Sequence, residues 1–406
     1  MLITIISIIV ILGFLIFVHE LGHFITAKRS GVKVEEFGFG YPPRLFGIQK
    51  IKANQLASPT KKWRFFWGKY PQSTTESADQ EGESEQNTIY SVNWIPIGGF
   101  VKIKGEGGEQ REDKNSFSHK SFAVRGLILS SGVLMNVILA VVLFAIGFMM
   151  GLPAAIDEQQ INDSNVRNVK VQIASVAKDS PADESGLLLA DQILEIDGNK
   201  ITTVSEVQNY IKENQEEPLT LAVKSGADIK EITVKPETIE GFGENKVLGV
   251  SLVQTGIVSY NFFESWYRGA LITVNLLIQI VIAFYGLFKN LILGLGLSPD
   301  LAGPVGVAVI TGRIVDMGWS YIIQFVALLS LNLAVLNFLP FPALDGGRFI
   351  FLLIEKIRRK PNNQMIENLI HNLGFSLLMI FVLFITYRDL LRYGSGLIDK
   401  LKYFFS

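Results

Sequence analysis

His19, Glu20 and His23 occur in the order His-Glu-Leu-Gly-His at positions 19–23. Residues four apart share one face of a helix, so both imidazoles of this pentapeptide can reach one metal ion. Glu20 stands beside them, where a carboxylate can take a proton from a metal-bound water. The pattern is short, and at a helix end the same residues could simply be solvated. Its setting argues for chemistry, because it continues an uncharged run from Met1 to Val18. Ionisable groups within an apolar helix are costly and tend to be functional. Two histidines and a water leave a tetrahedral zinc ion one protein ligand short. The chain has no cysteine, and its other histidines, His119 and His371, lack acidic or histidine partners at ligand spacing. Each of these reads as an ordinary polar residue near a helix end. Asp345 offers a carboxylate instead: Pro340 and Pro342 break the apolar helix before it, and Gly346-Gly347 allows a sharp turn after it. The competing reading of Asp345 is a loop ion pair with Arg348.

The elements that carry these groups belong to a membrane protein. Of 406 residues, 49% are hydrophobic and only 18% charged, too apolar for an ordinary soluble domain. The net charge of -1 gives no bulk basicity that would suggest a nucleic-acid partner. A bilayer core needs about 20 apolar residues of helix to cross it. Met1–Val18, continuing to Ala27, lacks a basic leader and a small-residue cleavage site, so it reads as a retained span rather than a signal peptide. Gly126–Ile156, Met317–Leu344 and Asn368–Tyr387 carry no Asp, Glu, Lys or Arg and read as three further spans. A fifth stretch, Gly269–Phe288, contains Asn275, Gln279 and Gly286.

Two soluble regions of opposite charge lie between these helices. Residues 27–125 hold 16 Lys/Arg against 11 Asp/Glu, and residues 157–268 hold 10 against 19. The positive-inside bias puts the first region in the cytoplasm and the second outside. The basic loop after Leu344 also reads as inside, whereas the C-terminal tail with Arg388 and Arg392 fits this bias less well. Within the basic region, residues 34–40 and 94–105 have strand-like patterns, and Pro71–Thr88 has the composition of a disordered insertion. The acidic region reads as a small α/β domain, with strands at 169–176, 219–224 and 230–236 and a helix at about 204–214. Its run Ser180-Pro181-Ala182 through Asp197-Gly198 resembles a PDZ domain of the permuted bacterial kind, over residues 168–256. In that fold Leu187, Ile193, Leu194 and Ile196 are core, and Asp197-Gly198-Asn199 makes a hairpin turn. A PDZ domain can add an extended peptide to a sheet edge, although a spacer that binds nothing is the alternative.

The whole pattern resembles the site-2 protease family in its bacterial RseP-like group. The resemblance rests on His-Glu-Leu-Gly-His in a first membrane helix and on Asn337-Phe-Leu-Pro-Phe-Pro-Ala-Leu-Asp345-Gly in a late one. It extends to the PDZ-like domain between them, to Gly-Phe-Gly at 38–40, to Pro-Ile-Gly-Gly-Phe-Val-Lys at 96–102 and to the asparagines of 330–337. It implies a zinc metalloendopeptidase with His19, His23 and Asp345 as ligands and Glu20 as catalytic base. It further implies that Asn332 and Asn337 line the substrate cleft, helix–helix packing being the alternative for both. The 94–104 strand, with Gly98 and Gly99, would be a membrane-associated β element that guides substrate. The chain departs from the group in having one PDZ-like domain where some relatives have two, in Gly132-Val133 where Gly-Pro is usual, and in its 53–88 stretch.

The fold expected is thus a polytopic α-helical membrane protein with four spanning helices, a membrane-associated β element and one α/β PDZ-like domain. The expected division is a first membrane helix at 1–27, a cytoplasmic loop at 28–121, a second helix at 122–156 and the extracytoplasmic domain at 157–256. An interfacial or re-entrant region at 257–316, a third helix at 317–347, a cytoplasmic loop at 348–366, a fourth helix at 367–388 and a tail at 389–406 complete it. Parity sets the count. His19 and Asp345 reach the same leaflet only if the 266–294 stretch does not span. The expected substrate is a single-pass membrane protein in a bacterial inner membrane, already trimmed outside, with a peptide terminus as a partner of the PDZ-like domain. The rival readings are a metal transporter, which has no need of Glu20, and an inactive membrane-anchored scaffold.

Overall fold

Uncharged helix length decides most of the architecture. The computed structural model describes residues 2–50, 63–68, 87–161, 163–226, 228–239, 246–294 and 303–405. Its chain divides into two compact units, one of residues 1–143, 270–316 and 325–406, the other of residues 144–269 and 317–324.

In the first unit, α1 (Leu2–Arg29) leads into a three-stranded antiparallel sheet of β1 (Val34–Lys50), β2 (Trp63–Trp67) and β3 (Ile89–Ile103), in the order β2-β1-β3. The long helix α2 (Phe122–Met150) follows. Sheet and helix meet through aromatic rings, with Phe37 stacked on Phe24 at 4.5 Å and tilted against Phe17 at 5.3 Å. Glycines let β3 approach α1 closely. A side chain on Gly98, whose φ is +79°, would meet Ile16 Cγ2 at 2.7 Å, and Gly13 lies against the Pro96 carbonyl. Residues 96–99 therefore run beside residues 13–17, one to two helical turns before His19 and inside the apolar stretch. At the other end Ala27, Val32, Val34, Ile103, Phe117, Ile128, Leu129 and Leu352 form a buried cluster.

The strand β2, with its pairing of Trp63 with Lys50 and of Trp67 with Phe46, lies within the stretch 53–88, by which the chain departs from the group it resembles. A five-residue aromatic strand carries no alternation for a periodicity argument to find. Most of the expected insertion, 71–86, lies outside the described residues, while Thr88 at its end is buried.

The second unit contains a seven-stranded sheet in the order β4-β10-β5-β6-β8-β9, with β7 paired to β6. Its elements are β4 (Leu152–Ala155), β5 (Val166–Val176), α3 (Pro181–Glu184), β6 (Gln192–Ile196), β7 (Asn199–Lys200), α4 (Val204–Glu213), β8 (Leu219–Ser225), β9 (Asp228–Val234) and β10 (Val250–Val258). Leu187, Ile193, Ile196, Val207, Leu221 and Leu248 fill its core. Leu194 is only half-buried. A register shift between Ile193 and Glu195 on β6 re-phases the strand, so Ile193 and Ile196 share the core despite odd spacing. Asp197 and Gly198 make the expected turn with φ of 48° and 79°. Thr203 and Glu206 form a capping box on α4, and the hydrogen bonds Glu206 accepts from Thr202 hold its carboxyl below the usual range. The domain begins earlier than the sequence suggested, because β4 pairs with Thr255–Val258 of β10.

The remaining helices are α5 (Phe262–Ile292), α6 (Pro304–Met317), α7 (Trp319–Phe338), α8 (Asp345–Arg358) and α9 (Gln364–Phe405). Among the described residues five helices, α1, α2, α5, α7 and α9, are long and apolar enough to cross a membrane. The chain is a polytopic α-helical membrane protein. The 31 residues of α5 are unbroken, so the reversal that a re-entrant segment needs is absent from it. The 348–366 stretch, expected as a loop, is helical to Arg358, with Leu352 buried against the first unit's core.

Candidate metal centre

The positions of His19 and His23 follow from the close packing of α1 on α2. Gly22, between them, faces Ser131 so closely that a Cβ would lie 2.3 Å from the Ser131 carbonyl oxygen. Small residues allow such backbone approach in membrane helices. At this crossing His23 Nδ1 donates to the Ile128 carbonyl at 2.8 Å, which leaves Nε2 unprotonated in the neutral ring and ready to bind a metal. His19 Nδ1 lies 3.3 Å from the Asn136 side-chain amide. Asn136 is fully buried, and its Oδ1 as placed has no hydrogen-bond partner among the described residues. Amide nitrogen and oxygen exchange on a half-turn. With Oδ1 towards the ring, it accepts the Nδ1 proton and His19 Nε2 is likewise free for a metal.

Asp345 arrives from the far end of the sequence as the first residue of α8. The carbonyls of Phe338 and Leu339 fold over Gly346, and that of Phe341 over Gly347, each 2.3 Å from where a Cβ would be. These glycines serve close packing within the first turn of a helix, and the left-handed residue that bends the chain is Ala343, with φ of 82°. Arg348 does not neutralise Asp345, because it pairs with Glu106 instead.

The three groups meet. Asp345 Oδ2 lies 2.9 Å from His19 Nε2 and 3.3 Å from His23 Nε2, and the two nitrogens are 3.2 Å apart. Zinc bonds of about 2.0–2.2 Å at tetrahedral angles put ligand atoms roughly 3.3–3.5 Å apart. The observed triangle needs to open by at most about 0.6 Å, on its His19–Asp345 side. Among the described residues these three form a group that could hold a metal ion, and the histidines are 5% and 7% exposed. Gly132 of α2 completes the space, since a Cβ there would come 2.4 Å from His23 Nε2 and 2.6 Å from His19 Nε2. Donor types, spacing and this cradle all fit zinc. Glu20, partly buried, lies within electrostatic reach of His19, His23 and Asp345, as a base beside the metal must.

The other expected site residues do not belong to the group of three. Asn332 donates to the Leu328 carbonyl of its own helix at 2.9 Å, and Asn337 is half-buried. Gly98 and Gly99 face Ile16 and Phe17 of α1. Ser330 of α7 ties to α2 by donating to the Asn136 carbonyl at 2.8 Å. Sequence reasoning did not identify Gly22, Gly132 or Asn136 as shaping the site, because their effect depends on how two helices cross.

Peptidase family M50 matches residues 7–56 and 81–381 of this chain. A protein from Clostridium perfringens named as a zinc metalloprotease is 32% identical over 378 residues, covering 93% of this chain and 95% of its own. The Bacillus subtilis protein named regulator of sigma-W protease RasP is 28% identical over 438 residues, covering 96% and 98%. The PDZ domain of the SdrC-like protein of Listeria monocytogenes is 28% identical, covers 20% of this chain and 86% of its own, and superimposes with a TM-score of 0.19.

Proposed function

This chain belongs to peptidase family M50, and from that premise we propose that its zinc site hydrolyses peptide bonds within the membrane-spanning segments of single-pass proteins, as the second of two successive cuts. The chain is a zinc metalloendopeptidase of the site-2 type. The observation that carries the intramembrane reading is the meeting of Asp345 with His19 and His23, the two histidines lying within a helix long and apolar enough to span a bilayer.

Zinc, when bound, supplies a localised activated water and polarises the scissile carbonyl. The Glu20 carboxylate would accept the proton of the attacking water and pass it to the leaving nitrogen. His23 is fixed by Ile128 and His19 by Asn136, so both rings present Nε2 to the metal without reorganising. A helical substrate hides its amides, so it must unwind locally, and unsatisfied backbone groups are costly in hydrocarbon. The edge position of β3 and the placement of its residues 96–99 beside α1 support strand addition by the unwound segment. Asn332 and Asn337 would hold its exposed backbone.

We infer four spans, with α5 lying in the interface, residues 157–256 outside and the site at the inner leaflet of a bacterial inner membrane. Parity supports this, since α1 and α7 then run in the same direction. The absence of native cysteine makes single introduced cysteines a clean test. A membrane-impermeant thiol reagent should label Ser205→Cys from outside and Ser118→Cys only after permeabilisation, and the reverse pattern would invert the topology. The sheet of the PDZ-like domain supports capture of a short peptide terminus. β4 covers β10 from Thr255 onwards, so Val250–Val253 is the part of that edge with no strand beside it among the described residues. Function is tested by co-expressing single-pass proteins lacking their outer domains. Wild type should shorten them, His23→Ala should not, and equal processing by both would sink the proposal.

A further inference from the structure

Asp345 follows a strained turn at Ala343, and α9 grips that turn at two points. Ala343 adopts φ of 82°, a left-handed conformation that residues with a Cβ adopt only when neighbours enforce it. Its N–H donates to His371 Nδ1 of α9 at 2.9 Å. One helical turn further along α9, Gly374 abuts Pro342: a Cβ there would lie 2.5 Å from Pro342 Cβ and 2.7 Å from its carbonyl oxygen. Residues three apart share a helix face, so His371 and Gly374 together form the wall against which Pro342 and Ala343 rest. The His371 ring is held in place by Phe351 of α8, 5.2 Å away between centroids. Its Nε2 is buried and has no hydrogen-bond partner among the described residues. The ring's hydrogen bond to protein is thus spent on the turn, where Nδ1 acts as the acceptor.

We propose that His371 is a positioning residue for the metal centre, holding the left-handed turn at Ala343 so that the Asp345 carboxylate points at His19 and His23. The assignment rests on Asp345 being a zinc ligand. Without the acceptor the Ala343 N–H is left unpaired and the turn relaxes, taking Asp345 with it. The histidines stay where α2 holds them, so the metal keeps two good ligands and a misplaced third. A lost outer-shell partner typically lowers metal affinity about 10- to 100-fold.

The test uses full-length protein in detergent and titrates bound zinc against a chelator, with cleavage measured in parallel. His371→Leu, which keeps bulk and removes the acceptor, should lower zinc affinity at least about 10-fold. His371→Asn, whose Oδ1 can stand where Nδ1 stood, should remain within about 3-fold of wild type, a rescue that a packing role would not give. Ala343→Gly relieves the strain of the left-handed turn and should shrink the effect of His371→Leu when the two are combined. Equal loss of zinc in the Leu and Asn variants, with both folded, would overturn the proposal, as would unchanged affinity in His371→Leu. Asp345→Asn separates the two levels. If it loses zinc while His371→Leu does not, the positioning role fails and the ligand stands, and if it too keeps zinc, the ligand assignment fails as well.

Discussion

Gly132→Ala should remove tight zinc binding while leaving the membrane helices folded. The added Cβ would sit 2.4 Å from His23 Nε2, 2.6 Å from His19 Nε2 and 2.7 Å from His19 Cε1. Non-bonded carbon atoms rest about 3.5–4.0 Å apart, so the methyl group intrudes on both rings by roughly 1 Å. The rings can yield only by turning, and turning His23 breaks its 2.8 Å bond to the Ile128 carbonyl. Losing such an outer-shell bond alone costs about 10- to 100-fold in metal affinity. Displacing both ligands together should therefore exceed about 100-fold. Helix propensity works the other way, since alanine favours a helix over glycine by about 1 kcal/mol, so unfolding is not the expected cause. Metal content measured after dialysis against graded chelator, alongside protease resistance, separates the two effects. Gly286→Ala is the control, because a Cβ there meets nothing within 4 Å and zinc should be unchanged. A folded Gly132→Ala protein that holds one zinc as tightly as wild type would refute the geometry on which the site is built.

Asp345→Asn should lower zinc occupancy and cleavage together, and metal content equal to wild type would move the third ligand elsewhere. Replacing residues 152–258 with a short Gly/Ser linker should preserve cutting of a pre-trimmed substrate and begin cutting of full-length ones. The ends to be joined are adjacent, since the Tyr260 N–H donates to the Phe148 carbonyl at 3.1 Å, and no residue of the removed segment belongs to the metal group. A zinc-loaded deletion that fails on the short substrate would give the domain a part in the active site, and unchanged rejection of long substrates would leave it a spacer.

The chemistry was legible in the sequence wherever it depends on local spacing. His19 and His23 share a helix face at any crossing angle, and an uncharged run can be counted. The turn at Asp197-Gly198 is equally local. What escaped depends on tertiary approach. Gly22 of α1 and Gly132 of α2 look like any glycines in an apolar helix until the facing helix lies 2–3 Å from where their side chains would be. Gly346 and Gly347 suggested a sharp turn, but they pack against carbonyls, and the backbone bends at Ala343 instead. His371 seemed unremarkable because its partner is a backbone amide 28 residues away, which no side-chain pattern records. β2 and β4 are short strands defined by their partners, and a five- or four-residue run has too little periodicity to declare itself.

The most direct test of the account is cleavage and zinc content measured side by side on purified Glu20→Gln protein. Glu20 is assigned as the base and lies outside the ligand triangle of His19, His23 and Asp345, so the variant should hold one zinc per chain with wild-type affinity. General acid–base catalysis contributes about 10²- to 10⁴-fold, and cleavage of a membrane-embedded single-pass substrate should fall by at least about 100-fold. Cleavage within about 10-fold of wild type at full zinc loading would contradict the mechanism, and loss of zinc from the folded variant would contradict the division between ligands and base.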